Sequence, residues 1–289
     1  MADDNEPGVV PGVERRIKVT RAQAPGFFWA PGFKKLADEI ELALAECNGV
    51  VMISFPEMEP EYVAGYAAAR NLKLWTIGPV SLYHQHATTL AKRGNTTTAV
   101  DADECLRWLQ GKEPSTVVYV SFGSVKKNSE EAEGLETVHH RSSGTAEGTW
   151  QMWNELLEQD RGWSPQVLIL NHAAVGGFVT HCGWHSTLEA IAPGLPVVTW
   201  PHFSDQFLNE KLAVEVLGIG VSVGIKEPLL WVAKKEVVVR REVVEAAVRS
   251  IMDEGGEEEE GACSLGEGEG SRAKWWVIAW QPAGSDQAL

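Results

Sequence analysis

The sequence predicts an α/β fold built on parallel sheets. Amphipathic helical stretches alternate with short apolar runs of strand length, first between residues 33 and 77 and again from residue 101 onward. That alternation is the order in which a parallel sheet and its crossover helices are written. Turn signals such as Gly78-Pro79 and Pro193-Gly194 close the runs. The chain has 289 residues, of which 44% are hydrophobic and 22% charged. At roughly 150 residues per domain this length predicts two domains with a sizeable core.

Residues 1–25 show little apolar periodicity and read as loose chain. A helix is expected over 33–47, with Leu36, Ile40, Leu44 and Cys47 on one face. Gly49-Val50-Val51-Met52-Ile53-Ser54 reads as a buried strand, 59–70 as a second helix, and Leu72 to Ile77 as another strand. Residues 84–102 contain Gly94-Asn95-Thr96-Thr97-Thr98 and read as a linker. After a short helix from Asp101 to Leu109, Thr116 to Ser121 is a strand ending in Phe122-Gly123-Ser124, where a second α/β domain begins. Residues 125–162 are polar; Trp150 to Leu157 reads as helical, and no buried strand is expected there.

From Trp163 the pattern is dense. Val167-Leu168-Ile169-Leu170 reads as a strand, His172 to Val175 as a turn or short helix, and Gly177 to Thr180 as a strand. Ser186 to Ala192 reads as a helix and Pro196 to Trp200 as a strand. Two amphipathic helices follow at 206–217 and 241–253, the latter with Val244, Val248 and Ile251 on one face. Beyond residue 255 an acidic run, Glu257 to Glu260, lies in a Gly-rich stretch before an apolar tail, Lys274 to Trp280. Such low complexity is no domain signature. The expected division is 1–83 for a first unit, 84–102 for a linker, 103–255 for a second domain, and 256–289 for a divergent tail.

Charge narrows the functions. Twenty-five Lys and Arg against forty Asp and Glu leave a formal charge of −15. That balance argues against nucleic acid, which needs a basic face to replace counterions, and against an anionic membrane surface. Cys47, Cys105, Cys182 and Cys263 are widely spaced with no CxxC pair, which predicts neither a disulfide framework nor a metal site. No apolar run reaches the ~18–20 residues of a membrane span. The acidic start, Met1 to Pro11, is not a secretion signal. The cytoplasm is the expected location, with no obligate protein partner evident.

The chemistry is concentrated in Thr180-His181-Cys182-Gly183-Trp184-His185-Ser186-Thr187-Leu188-Glu189. A strand ends, a Gly-containing turn follows, and a helix begins. Ser186 and Glu189 have the S-x-x-E spacing of a capping box, which would give both a purely local role. The alternative is an anion site, because free amides at a helix start face the positive end of its dipole. His181 and Ser186 would then add side-chain donors. In an open α/β sheet this turn lies at the carboxyl edge of the strands, where ligands bind.

The whole ordered pattern is more specific than any part. Trp163-x-Pro165-Gln166 is followed by Leu170-x-His172, Phe178-x-x-His181-x-Gly183-x-x-Ser186-x-x-Glu189, Gly194-x-Pro196, Pro201 and Asp205-Gln206. It resembles the signature box of plant UDP-dependent glycosyltransferases of family 1, and Trp200 to Lys211 resembles the flavonoid and terpenoid glucosyltransferase branch. The resemblance implies two Rossmann-like domains of the GT-B type with a cleft between them, and an inverting, metal-independent transfer that uses no cofactor. UDP-glucose would be the donor substrate and a small hydroxylated plant metabolite such as a flavonoid the acceptor. By this resemblance Trp163 would stack on uracil, Gln166 would lie beside the nucleoside, and Glu189 would accept from the ribose hydroxyls. His181, Ser186 and the turn Gly183-Trp184-His185 would hold the diphosphate, with Ser124 reaching the same phosphates. Asp205 and Gln206 would bind the sugar.

The sequence departs from this family at four places. Residues 16–82 resemble only the last part of its N-terminal domain, so that domain is expected to be incomplete, and no general base is assigned: His84, His86, His139 and His140 do not match the family's catalytic His. Residues 125–162 supply no counterpart to a family helix and strand. His185 stands where the family usually has Asn, a larger ring beside the phosphate turn. After about residue 255 the family's closing helix is replaced. An inactive remnant that at most binds UDP-sugar therefore stands beside the enzyme reading. A third reading is an interaction protein that binds through its Trp-rich tail.

Overall fold

In the computed structural model, residues 6–9, 17–20, 22–24, 33–83, 102–123, 138–141, 147–150, 164–228 and 239–252 are described. The linker expected over 84–102, apart from Ala102, the roles given to Ser124 and Trp163, the helix expected at 150–157 beyond Trp150, and the tail expected over 256–289 lie outside these residues.

Strands β1 (Pro7–Val9) and β2 (Lys18–Thr20) pair antiparallel, Gly8 opposite Val19. This corrects the expectation of loose chain: three-residue strands are too short for a period to show. The side-chain Nε2 of Gln23 donates to the Lys226 carbonyl at 3.0 Å, tying this end to the second unit.

Helix α1 (Lys34–Glu46), strand β3 (Val50–Met52), helix α2 (Pro60–Arg70) and strand β4 (Leu74–Thr76) follow in order. Pro60 sits in the first turn of α2, where its missing N–H costs nothing, and Asn71 closes the helix in the left-handed region at φ 50°. Strands β3 and β4 pair in parallel, Val51 opposite Trp75, so α2 is their crossover. The Arg70 guanidinium pairs with Glu41, joining α2 to α1. The expected buried strand is only half covered. Val51 is 58% and Trp75 51% exposed, and α1 buries no residue. The cause is architectural: among the described residues this sheet has two strands, and none of those residues covers the face carrying Val51 and Trp75.

The second unit is better packed. Helix α3 (Ala102–Gln110) leads into β5 (Val117–Ser121); strands β6 (Val138–Arg141) and β7 (Glu147–Trp150) form an antiparallel hairpin of their own. Then come α4 (Gln166–Leu170), β8 (Val175–Thr180), α5 (Trp184–Ile191), β9 (Val197–Thr199), α6 (Gln206–Lys211, continued by a π-helical turn over Leu212–Val216), β10 (Gly220–Ser222) and α7 (Arg241–Met252). The main sheet has the order β10-β9-β8-β5, every pair parallel.

Alternation along β5 sends side chains to opposite faces. Tyr119 joins Leu109, Ile169, Leu170, Phe178 and Leu195 on one side. Val118 and Val120 join Val179, Val198, Trp200, Phe207 and Val248 on the other. A parallel sheet covered on both faces is the Rossmann-like arrangement. One expectation changes here. Val167 to Leu170 is helix, not strand: Val167, Ile169 and Leu170 are buried in α4, and a four-residue apolar run has no period that separates the two. Within 125–162, strands β6 and β7 pair with each other and, among the described residues, not with the main sheet.

The two units meet. Met58, Leu188, Ile191 and Leu212 are buried together, with Ile53, Phe55, Tyr62 and Trp184 packed against them. The Trp184 indole N–H donates to the Ile53 carbonyl at 2.7 Å.

Candidate functional site

Three loops converge at the carboxyl edge of the main sheet. The first follows β8. His181 donates its amide to the Ser121 carbonyl of β5 at 3.4 Å, and Trp200, after β9, donates to Thr180 at 2.8 Å. The turn is sharp: Cys182 has φ 63°, and its amide donates to Thr180 Oγ1 at 3.2 Å. The His181 ring fills the space between two glycines. A Cβ on Gly123 would lie 2.7 Å, and one on Gly183 2.5 Å, from His181 Nε2. Gly123 also has φ 78°, so it is required twice over, by backbone shape and by contact.

The helix after this turn begins at Trp184, two residues earlier than expected, with Gly183 as its N-cap and no side-chain cap. This overturns the capping-box reading. Ser186 already lies inside the first turn, and its Oγ accepts from Gln166 Nε2 at 3.2 Å. Neither Ser186 nor Glu189 is spent on the helix end. The amides from Gly183 to Ser186 precede the first intrahelical bond, Thr187 N–H to the Gly183 carbonyl, and so face the turn at the positive end of the dipole.

Gln166 opens α4, and its Nε2 also donates to Glu189 Oε2 at 2.8 Å. The preceding Ser164 shares a 2.7 Å hydrogen bond with the Tyr119 hydroxyl. Burial pushes the Tyr119 phenol up to about 12, so it stays neutral and holds this loop against β5. The third loop precedes α6. Gln206 Oε1 accepts from the backbone of His202 at 2.8 Å and of Phe203 at 3.1 Å, which leaves the amide nitrogen as its free end. Asp205 is the N-cap residue of α6 but makes no cap bond; its Oδ2 accepts from Asn209 at 3.0 Å.

Of the residues named from sequence, Gln166, His181, Gly183, Ser186 and Glu189 are brought together, with Asp205 close enough to act on His181 electrostatically. His185 is exposed on the first turn of α5. Trp184 is different: its indole serves the contact with Ile53, and only its amide belongs to the turn. Sequence reasoning gave no role to Asn209 or Gly123. The Asp205 to Asn209 spacing of four on a helix was the available signal for Asn209. Among the described residues, no group of three or more His, Cys, Asp and Glu is placed to hold a metal ion, and no helix is long and apolar enough to cross a membrane.

Electrostatically the site favours an anion through dipoles rather than fixed charge. Desolvation holds the His181 imidazole below its ordinary 6.5, partly opposed by the Ser121 backbone bond and by Asp205. Its Nδ1 is buried without a hydrogen-bond partner. Because the folded value is the lower one, the unfolded chain binds the extra proton. The contribution of His181 to stability is therefore complete above pH 6.5 and is lost as pH falls through the depressed value. Chemical denaturation at pH 5 and pH 7.5 should show the wild type losing more stability on acidification than His181→Gln; equal losses would show that the ring is not desolvated.

Residues 101–229 match the family described as UDP-glucoronosyl and UDP-glucosyl transferase. UDP-glycosyltransferase 73C6 of Arabidopsis thaliana is 42% identical over 278 residues, covering 88% of this chain and 56% of the relative. The chain thus spans about half the length of the curated relatives it matches. Among solved structures, UGT73P12 of Glycyrrhiza uralensis, complexed with glycyrrhetinic acid 3-O-monoglucuronide, superposes with a TM-score of 0.73 at 33% identity, over 96% of this chain and 58% of that one. A transferase of Siraitia grosvenorii in complex with UDP gives 0.64 at 25% identity, over 88% and 62%. The fold shared with them is GT-B.

Proposed function

The chain belongs to the plant UDP-glycosyltransferase family, and on that premise we propose that its second unit binds UDP-glucose for transfer of glucose to a small hydroxylated plant metabolite such as a flavonoid. The observation that carries this is the grouping at one turn of the Glu189 carboxylate and the Ser186 hydroxyl, both bonded to Gln166, with the His181 imidazole and the amides that open α5. The chemistry fits the ligand. Glu189 accepts from the ribose diol, oriented by Gln166. His181, Ser186 and the amides from Gly183 onward hold the diphosphate. Asp205 accepts from, and the Gln206 amide donates to, sugar hydroxyls. Trp163 and Ser124 complete the uracil and phosphate contacts.

The proposed reaction is a single displacement without metal or cofactor, in the cytoplasm. The acceptor oxygen bonds to the anomeric carbon as the bond from that carbon to the diphosphate oxygen breaks, and the configuration inverts. The acceptor proton passes to a general base, and UDP leaves with its new charge facing the helix amides. A second reading is donor binding without turnover, because the donor contacts of the second unit need no residue that activates the acceptor. Incubation of the full chain with radiolabelled UDP-glucose and a flavonol tests both. Labelled glucoside supports the transfer reading. Donor binding without glucoside supports the second. Stronger binding of UDP-galactose or UDP-glucuronate than UDP-glucose contradicts the glucose assignment.

His185→Asn is expected to strengthen UDP-glucose binding about 2- to 10-fold, the relief of one crowded rotamer. Unchanged affinity in titration of the folded variant would show that the imidazole does not crowd the donor.

A further inference from the structure

We propose that Asn209 is a positioning residue whose single side-chain amide fixes the diphosphate turn and the sugar-facing carboxylate in one geometry. The inference rests on the UDP-sugar reading of the site. Asn209 is 7% exposed and lies one helical turn after Asp205 on α6. Its Nδ2 donates to two elements: the Cys182 carbonyl at 2.8 Å and Asp205 Oδ2 at 3.0 Å. An amide nitrogen carries two hydrogens, so both are used.

Each bond has a directional consequence. The Cys182 carbonyl and the Gly183 N–H belong to the same planar trans peptide and point in opposite directions. Holding the carbonyl on Asn209 therefore aims the Gly183 N–H away from α6 and into the turn. That peptide follows a non-glycine residue at φ 63°, a conformation that persists only when its surroundings fix it. Thr180 Oγ1 secures the amide of Cys182 and Asn209 secures its carbonyl. On the other side, the bond to Oδ2 pins the Asp205 carboxylate and leaves Oδ1 for a sugar hydroxyl. Rotation of the Asn209 amide would release both at once.

The full chain is titrated with UDP and with UDP-glucose, for wild type, Asn209→Ala, Asp205→Ala and the double variant, with melting temperatures read alongside. The quantity of interest is the factor by which glucose improves binding over UDP alone. Asn209→Ala is expected to reduce that factor about 3- to 10-fold, the net worth of about one hydrogen bond. The double variant should lose little beyond Asp205→Ala. An unchanged factor in Asn209→Ala, or losses that multiply in the double variant, overturns the proposal. Asn209→Ser, which keeps one donor, carries the same comparison if the alanine variant does not fold. Wild type that binds neither ligand overturns the donor-site reading itself, whereas wild-type binding with an unchanged factor overturns only the role of Asn209.

Discussion

Glu189→Ala is expected to weaken UDP binding about 10- to 100-fold while leaving the fold nearly as stable as before. The magnitude follows from losing a charged acceptor of two ribose hydroxyls, with ~1.5–3 kcal/mol for hydrogen bonds to a charged group and ~1.4 kcal/mol per decade of affinity. The stability half follows from geometry. Helix α5 begins at Trp184 with Gly183 as its cap, so Glu189 lies in the second turn, past the third helical position that a capping box uses. Its carboxylate accepts from Gln166 instead, on the neighbouring helix α4. A capping-box role would produce the reverse pattern, about 1 kcal/mol of lost stability with binding untouched. Titration with UDP and urea denaturation of the same variant separate the two. Glu189→Gln, which keeps an acceptor but not the charge, should fall between wild type and alanine.

Phe178→Ala is expected to cost about 3–5 kcal/mol of folding stability, a large share of the ~5–15 kcal/mol available to a domain. Phe178 is fully buried at the middle of β8, paired with Tyr119 on one side and Val197 on the other. Its ring stacks on Tyr119 with centroids 5.2 Å apart. Removing it opens a cavity beneath the strand that carries the His181 turn and loosens Tyr119, which holds Ser164 and the α4 loop. The urea midpoint should drop by about 1–3 M, with donor affinity falling alongside. An unchanged midpoint would mean that β8 is not the centre of this sheet.

These two residues show what the sequence made legible. Phe178 and Glu189 stand at fixed places in an ordered pattern around a strand, a turn and a helix, and the structure builds those three elements there. The parallel sheet was legible for the same reason: β5, β8 and β9 are apolar runs buried on both faces. What misled was local. Val167 to Leu170 is too short for its periodicity to distinguish helix from strand, and Pro165 before it was the better guide to a helix start. Ser186 and Glu189 fit a cap by spacing, yet Gly183 capped the helix first. The bare face of Val51 and Trp75 was not legible, because burial of a strand depends on neighbours rather than on its own residues. Asn209 was hidden because its role depends on a contact with Cys182, 27 residues away.

The loop after β8 and those before α4 and α6 are proposed to form a UDP-sugar site in this chain. Calorimetric titration of the purified full chain with UDP-glucose, after circular dichroism has shown it folded, tests that most directly. Heat of binding at one ligand per chain, lost in Glu189→Ala, is the expected result. A folded chain that gives no heat and protects no amide of the Gly183 turn from exchange would contradict it.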